Sequence, residues 1–250
     1  MIRKKKLVLV LVLLFVLSAC GQAATEAPPA ATNTVLPPTA TLPPTATPIP
    51  SPTPIPPFHD EGFDADTADW SSFFVDGKTG VIAKETIEKA TATVKDGFFE
   101  FNIEKSFVYI YSIYTAFDYP DVRIDVSVNN KGVNTNVVAL VCRYSPDGWY
   151  EVNVNGDGTY FIGFGKPRED GFINYTLIHN GGSNKIKQGQ VVNEYTFVCK
   201  GDTLSLFING DLAKEVKDTK LQTGQIGIGA STFVALPVTV DFDWVKISEP

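Results

Sequence analysis

Alternation of apolar and polar positions dominates the chain from about residue 100 onward. Val122, Ile124, Val126 and Val128 alternate with Arg123, Asp125, Ser127 and Asn129, the period of two expected of a strand with one buried and one wet face. Tyr150, Val152 and Val154 alternate with Trp149, Glu151 and Asn153, and the run Asn155-Gly156-Asp157-Gly158 leads into a second apolar run from Tyr160 to Phe164. That order predicts a hairpin. Leu204, Leu206 and Ile208, the pair Asn209-Gly210 and a run from Leu212 to Val216 predict another, because Asn-Gly supplies the positive φ that a tight turn needs. Gly224 to Gly229 and Val238 to Ile247 predict closing strands. No stretch of ten or more residues keeps a 3.6-residue period, and Lys84 to Lys95 is the one place where a turn of helix fits. Residues 58–250 therefore read as a single all-β domain, a length that suits a β-sandwich.

The first 57 residues follow other rules. Arg3 and Lys4 to Lys6 precede the apolar run Leu7 to Leu17 and the small residues Ser18 and Ala19, the layout of a secretory signal. The run is too short to span a bilayer, which takes about 20 apolar residues. Leu17-Ser18-Ala19-Cys20-Gly21 resembles the lipobox of bacterial lipoproteins. The resemblance implies a signal peptide of residues 1–19, lipidation of Cys20 and attachment to the extracytoplasmic face of the cell membrane; the plainer alternative is an ordinary signal with an incidental cysteine. Two or three acyl chains make a durable anchor. Residues 20–57 are a Pro/Thr-rich segment expected to be a disordered linker, semi-rigid and up to about 100 Å long when extended.

Charge narrows the partners. Removing residues 1–19 takes four of the 21 basic residues and none of the 28 acidic ones, so 17 basic against 28 acidic residues leave a net charge of −11. That argues against nucleic acid and against flat adhesion to anionic lipid.

The domain also resembles a known family. Val141-Cys142-Arg143-Tyr144, Trp149 to Val152, Asp157 to Tyr160, the hairpin Gly201 to Gly210, the strand Gly224 to Gly229 and the closing Val240 to Val245 are together similar to the strand series of concanavalin A-like (laminin G-like) jelly-roll domains of bacterial surface lipoproteins. Asp60 to Trp70 looks like that family's opening strand. The resemblance implies a two-sheet antiparallel jelly-roll sandwich, and a fold of this kind hosts many functions.

Candidate chemistry is sparse. Cys142 and Cys199 lie in phase with apolar neighbours in a chain read as exported, so a buried disulfide is expected, against two separate buried thiols. Glucanases of this fold carry three acidic residues closely spaced on one strand, and no such cluster is found here. Glu151 has no second carboxylate beside it on its strand; a pair drawn from separate strands, such as Asp125 with Glu151, stays open, and some similar domains are named keto-disaccharide hydrolases. His59 and His179 are the only histidines, which argues against a zinc site or a histidine triad. Asp60, Asp64, Asp241 and Asp243 would suit calcium if the first and last strands pair, the alternative being ordinary surface carboxylates.

Arg123, Asp125, Ser127, Arg143, Trp149, Glu151 and Asn153 all fall on the outward phase of strands that one sheet can hold. They mix an aromatic platform with hydrogen-bonding groups, the equipment of a sugar-binding face, against the reading of a plain solvated face. Tyr109 and Tyr111 share a phase and extend the platform or belong to the core. The leading expectation is a non-catalytic carbohydrate- or ligand-binding module on a lipid tether. A glycoside-processing hydrolase of the same fold and a structural or partner-binding envelope lipoprotein are the alternatives.

Overall fold

The computed structural model describes residues 56–64, 68–83 and 85–250. The expected signal, Cys20 and nearly all of the linker lie outside the described residues.

Sixteen strands, and no helix among the described residues, make up the domain. The first eight are β1 (His59–Glu61), β2 (Trp70–Asp76), β3 (Val81–Ile82), β4 (Ala90–Lys95), β5 (Phe98–Ile103), β6 (Val108–Tyr119), β7 (Val122–Asn130) and β8 (Val137–Ser145). The rest are β9 (Gly148–Asn155), β10 (Thr159–Pro167), β11 (Ile173–Gly182), β12 (Val192–Lys200), β13 (Thr203–Ile208), β14 (Asp211–Lys217), β15 (Gly224–Ser231) and β16 (Val238–Ser248).

They form two eight-stranded antiparallel sheets. The first runs β14-β13-β12-β7-β16-β5-β4, with β1 also paired to β16; the second runs β11-β10-β9-β8-β15-β6-β2-β3. The expected hairpins form as β9–β10, with Tyr160 opposite Val154, and β13–β14, where Asn209 and Gly210 take φ of 50° and 84°. The expected turn of helix does not. Ala90, Ala92 and Val94 face inward along β4 while Thr91, Thr93 and Lys95 face solvent, so a short alternation rich in β-branched residues outweighs the local helix signal. The expected opening strand is also divided: β1 joins the first sheet and β2 the second.

The core lies between the sheets. Val122, Ile124, Val126, Tyr150, Val152, Leu204, Leu206, Phe242 and Val245 are all but inaccessible there. Cys142 of β8 and Cys199 of β12 are bonded across it, their Cα atoms 6.7 Å apart. This disulfide ties one sheet to the other through the core.

The second sheet curls so far that its edges meet. Val81 bridges Phe172, the Ile82 amide donates to the Gly171 carbonyl at 2.9 Å, and the Ile173 amide donates to that of Gly80 at 2.8 Å. In a flat sheet β2 and β9 would lie about 19 Å apart, four intervals of about 4.8 Å. The rings of Phe73 and Trp149, one on each, are 5.8 Å apart. The outer face of this sheet is therefore a concavity walled by its own strands.

Candidate functional site

The concave face carries a second apolar cluster, separate from the main core. Val75, Tyr111, Ile113, Ala139, Val141, Trp149 and Ile173 pack there, with Phe73, Ile82, Tyr109 and Tyr144 against them. Glycine on the facing strands makes room. A Cβ on Gly165 would lie 2.7 Å from Cε2 of Trp149, and one on Gly227 would lie 2.6 Å from Cδ1 of Ile113. Gly165 of β10 thus lets the Trp149 ring lie against the sheet, and Gly227 of β15 leaves space for the Ile113 side chain.

At the centre sits Glu151, 2% exposed. Oε2 accepts from the Tyr111 hydroxyl at 2.9 Å and from Nε1 of Trp149 at 2.8 Å, and Oε1 accepts from Nδ2 of Asn153 at 2.8 Å. The hydroxyls of Tyr111 and Tyr175 are 3.2 Å apart. Because Tyr111 donates to the carboxylate, Tyr175 is the donor in that pair. Burial pushes the Glu151 carboxyl above its usual range against the opposing effect of the three donors, and burial followed by the Glu151 charge pushes the Tyr111 hydroxyl well above its own. Among the described residues no basic side chain forms an ion pair with Glu151.

Next to the carboxylate is a cavity of about 220 Å³. Its walls are the rings of Tyr109, Phe161, Tyr175 and Phe233, and its polar groups are Glu151, Asn153 and Ser231. Tyr109 stands nearly perpendicular to Tyr175, at 83° with centroids 6.4 Å apart, and to Phe233, at 78° and 6.5 Å. Tyr175 and Phe233 are 40% and 41% exposed, so they form the mouth. Trp149, fully buried, packs in the apolar cluster with Ile82 and Ile173 from the strands whose edges meet. Phe233 also lines an adjoining groove of about 250 Å³, with Asn155, Asp157 and Val234. The loop carrying Phe233 is held by Thr232, whose Oγ1 accepts from the Val108 amide at 3.1 Å and donates to the Lys105 carbonyl at 2.7 Å.

The structure divides the residues that the sequence pattern grouped. Trp149, Glu151 and Asn153 meet on the concave face, and Tyr109 and Tyr111 join them. Arg123 and Asp125 lie on β7 in the first sheet, paired with each other at 2.6 Å, with Thr196 Oγ1 donating to Asp125 at 2.5 Å. Two strands with the same alternation need not share a sheet. Arg143 has φ of 53° at a bulge between Cys142 and Ser145 that shifts the phase, turning Tyr144 onto the concave face. Its guanidinium is buried, donating to the carbonyls of Pro120 at 2.8 Å and Leu221 at 2.9 Å. The face read as wet is thus largely enclosed, because a curled sheet covers itself.

The carboxylates considered for calcium are dispersed. β1 and β16 do pair, but this puts Asp60 opposite Lys246, while Asp241 pairs with Lys131 and Asp243 is exposed. No group of three or more metal-ligating side chains occurs among the described residues. Sequence reading missed Phe161, Tyr175, Ser231 and Phe233. Tyr175 and Phe161 flank a bulge at Ile162/Gly163 on mostly exposed β11 and its partner β10, where alternation is weak. Phe233 sits in a loop.

Two curled antiparallel sheets in this order, packed face to face with a site on the concave side, define a jelly-roll sandwich of the concanavalin A-like kind. No family model matches the chain, and no curated protein sequence is similar to it. Among solved structures it is similar to a glycoside hydrolase family 16 endo-glucanase from Bacteroides ovatus (TM-score 0.56, 10% identity, covering 76% of this chain and 99% of that one). It is also similar to the β-glucanase of Bacillus licheniformis (0.51, 13%, 77% and 98%) and to a protein of unknown function with a galectin-like fold from Bacillus subtilis (0.56, 8%, 76% and 94%). At such identities the shared property is the fold.

Proposed function

We propose that this is an exported lipoprotein, anchored through Cys20 to the extracytoplasmic face of the membrane, whose sandwich binds carbohydrate without cleaving it. The observation that carries the binding reading is the cavity on the concave face, where aromatic walls at near right angles surround a small set of fixed polar groups. Ring faces stack on sugar rings while hydrogen-bonding groups read hydroxyls. The solved structures named above include two glucanases, which supports a saccharide as the ligand class.

Binding is favoured over hydrolysis by the carboxylate inventory. Glycosidases of the common kinds use two carboxyl groups about 5–5.5 Å apart in retaining enzymes and about 6.5–9.5 Å apart in inverting ones. Among the described residues Glu151 is the only carboxylate lining the cavity, and three donors already hold it. The meeting of the sheet edges also favours ligands that enter end-on, by the terminus of a chain.

Glycan-array screening followed by calorimetry on the full chain tests this. A saccharide should bind with an affinity that stops rising after one or two sugar units, and Tyr175→Ala or Phe233→Ala should weaken it at least about tenfold, the range for loss of an aromatic anchor. Release of shortened products from a bound glycan would instead establish the hydrolase. Absence of binding to any glycan would remove the reading.

A further inference from the structure

We infer that the cavity selects a sugar terminus bearing a protonated amine, such as an unacetylated hexosamine, rather than a neutral or N-acetylated one. The inference rests on the carbohydrate reading above and names the ligand class within it.

The argument begins with Glu151. A carboxylate offers about four lone-pair positions, and three are taken: two on Oε2, one on Oε1. One position on Oε1 stays free, and the side chain lines the cavity. The three partners are donors that stabilise a negative charge without cancelling it. Burying a charge without a counter-ion is costly, and none of the nine residues lining the cavity is basic. The groove at the mouth adds Asp157 and again no basic residue. Among the described residues the site thus sets a buried acid with no basic partner at its base and aromatic faces around it, and both favour a cation.

Geometry separates an N–H-bearing cation from other ligands. The free lone pair of Oε1 calls for a hydrogen-bond donor, which a primary ammonium provides and a quaternary ammonium does not. An acidic sugar would set two negative charges side by side in a water-poor site. An N-acetyl group keeps one N–H but removes the charge and adds bulk in a space of about 220 Å³. A bound ammonium would also relieve the cost of keeping Glu151 ionised, so that part of the strain in the empty site becomes selectivity.

The test is calorimetry on the full chain with four probes at one pH where amines are protonated: an oligomer of glucosamine, the same oligomer N-acetylated, a neutral gluco-oligomer, and choline. The glucosamine oligomer should bind about tenfold to a hundredfold more tightly than either other sugar, the range for one charge-assisted hydrogen bond. That preference should disappear once pH is raised until the amine is neutral. Glu151→Gln, which keeps the shape and an acceptor for Trp149, should bind all three sugars alike, with an unchanged near-ultraviolet circular dichroism spectrum as the check on folding. Equal binding of the N-acetylated or neutral oligomer, tighter binding of choline, or a preference that survives Glu151→Gln overturns the inference and leaves carbohydrate binding intact. If no sugar binds, both readings fail together.

Discussion

Arg143 illustrates how one residue can hold three segments. Its side chain is completely buried, and its forked donors reach the carbonyls of Pro120 and Leu221 and the carboxylate of Asp121. Truncation would leave the buried Leu221 carbonyl without this partner, at about 1–3 kcal/mol, and would empty the space of a completely buried side chain. Arg143→Ala should therefore lower stability by about 3–5 kcal/mol in urea denaturation. Arg143→Lys should recover less than half of that, because an ammonium cannot reproduce the planar fork. Neither the role nor the position was legible in the alternation of Val141, Cys142 and Arg143. The bulge that redirects Arg143 depends on the facing strand, where Gly224 has φ of 149° and a Cβ on it would meet the Tyr144 carbonyl oxygen at 2.5 Å. Trp149, Glu151 and Asn153 were legible as a group, because no bulge interrupts β9.

Among elements, strand existence and hairpin register followed from local chemistry, as at Asn209-Gly210, whereas assignment to a sheet did not. β7 and β9 have the same pattern and lie in opposite sheets. Nothing within nine residues of a strand encodes which neighbour it will find. The cysteines do report a long-range relation, since Cys142 and Cys199 each fall in the inward phase and their strands face each other across the core. A link closing a loop across a separation of 57 residues is worth about 4 kcal/mol on the chain-entropy account. Reduction in the presence of denaturant, or the double substitution Cys142→Ala/Cys199→Ala, should lower the melting temperature by about 10 °C for a domain of this size. An unchanged melt would mean that the bond contributes little.

For the molecule as a whole, tyrosine makes alkali the vulnerable side. All nine tyrosines ionise above their ordinary range, and burial is the leading cause in each. Tyr114 and Tyr150 are both pushed up to about 12. A phenol whose folded value exceeds its unfolded value of about 10 leaves stability intact below pH 10 and removes it as pH rises toward the folded value. Unfolding should therefore set in between about pH 10 and 12, with phenolate absorbance near 295 nm rising together with loss of the near-ultraviolet dichroism. Tyrosines that titrate well before that loss would show that these rings are more accessible than the packing implies.

The joined edges of the second sheet have one more consequence. A binder that takes a chain by its terminus, as proposed above, takes no account of how long the attached polymer is. Presented with a fixed mass of polysaccharide, it would register few sites on intact material and progressively more as that material is cut. On the proposed reading such a molecule would respond to fragmentation, its signal growing as its target is broken down.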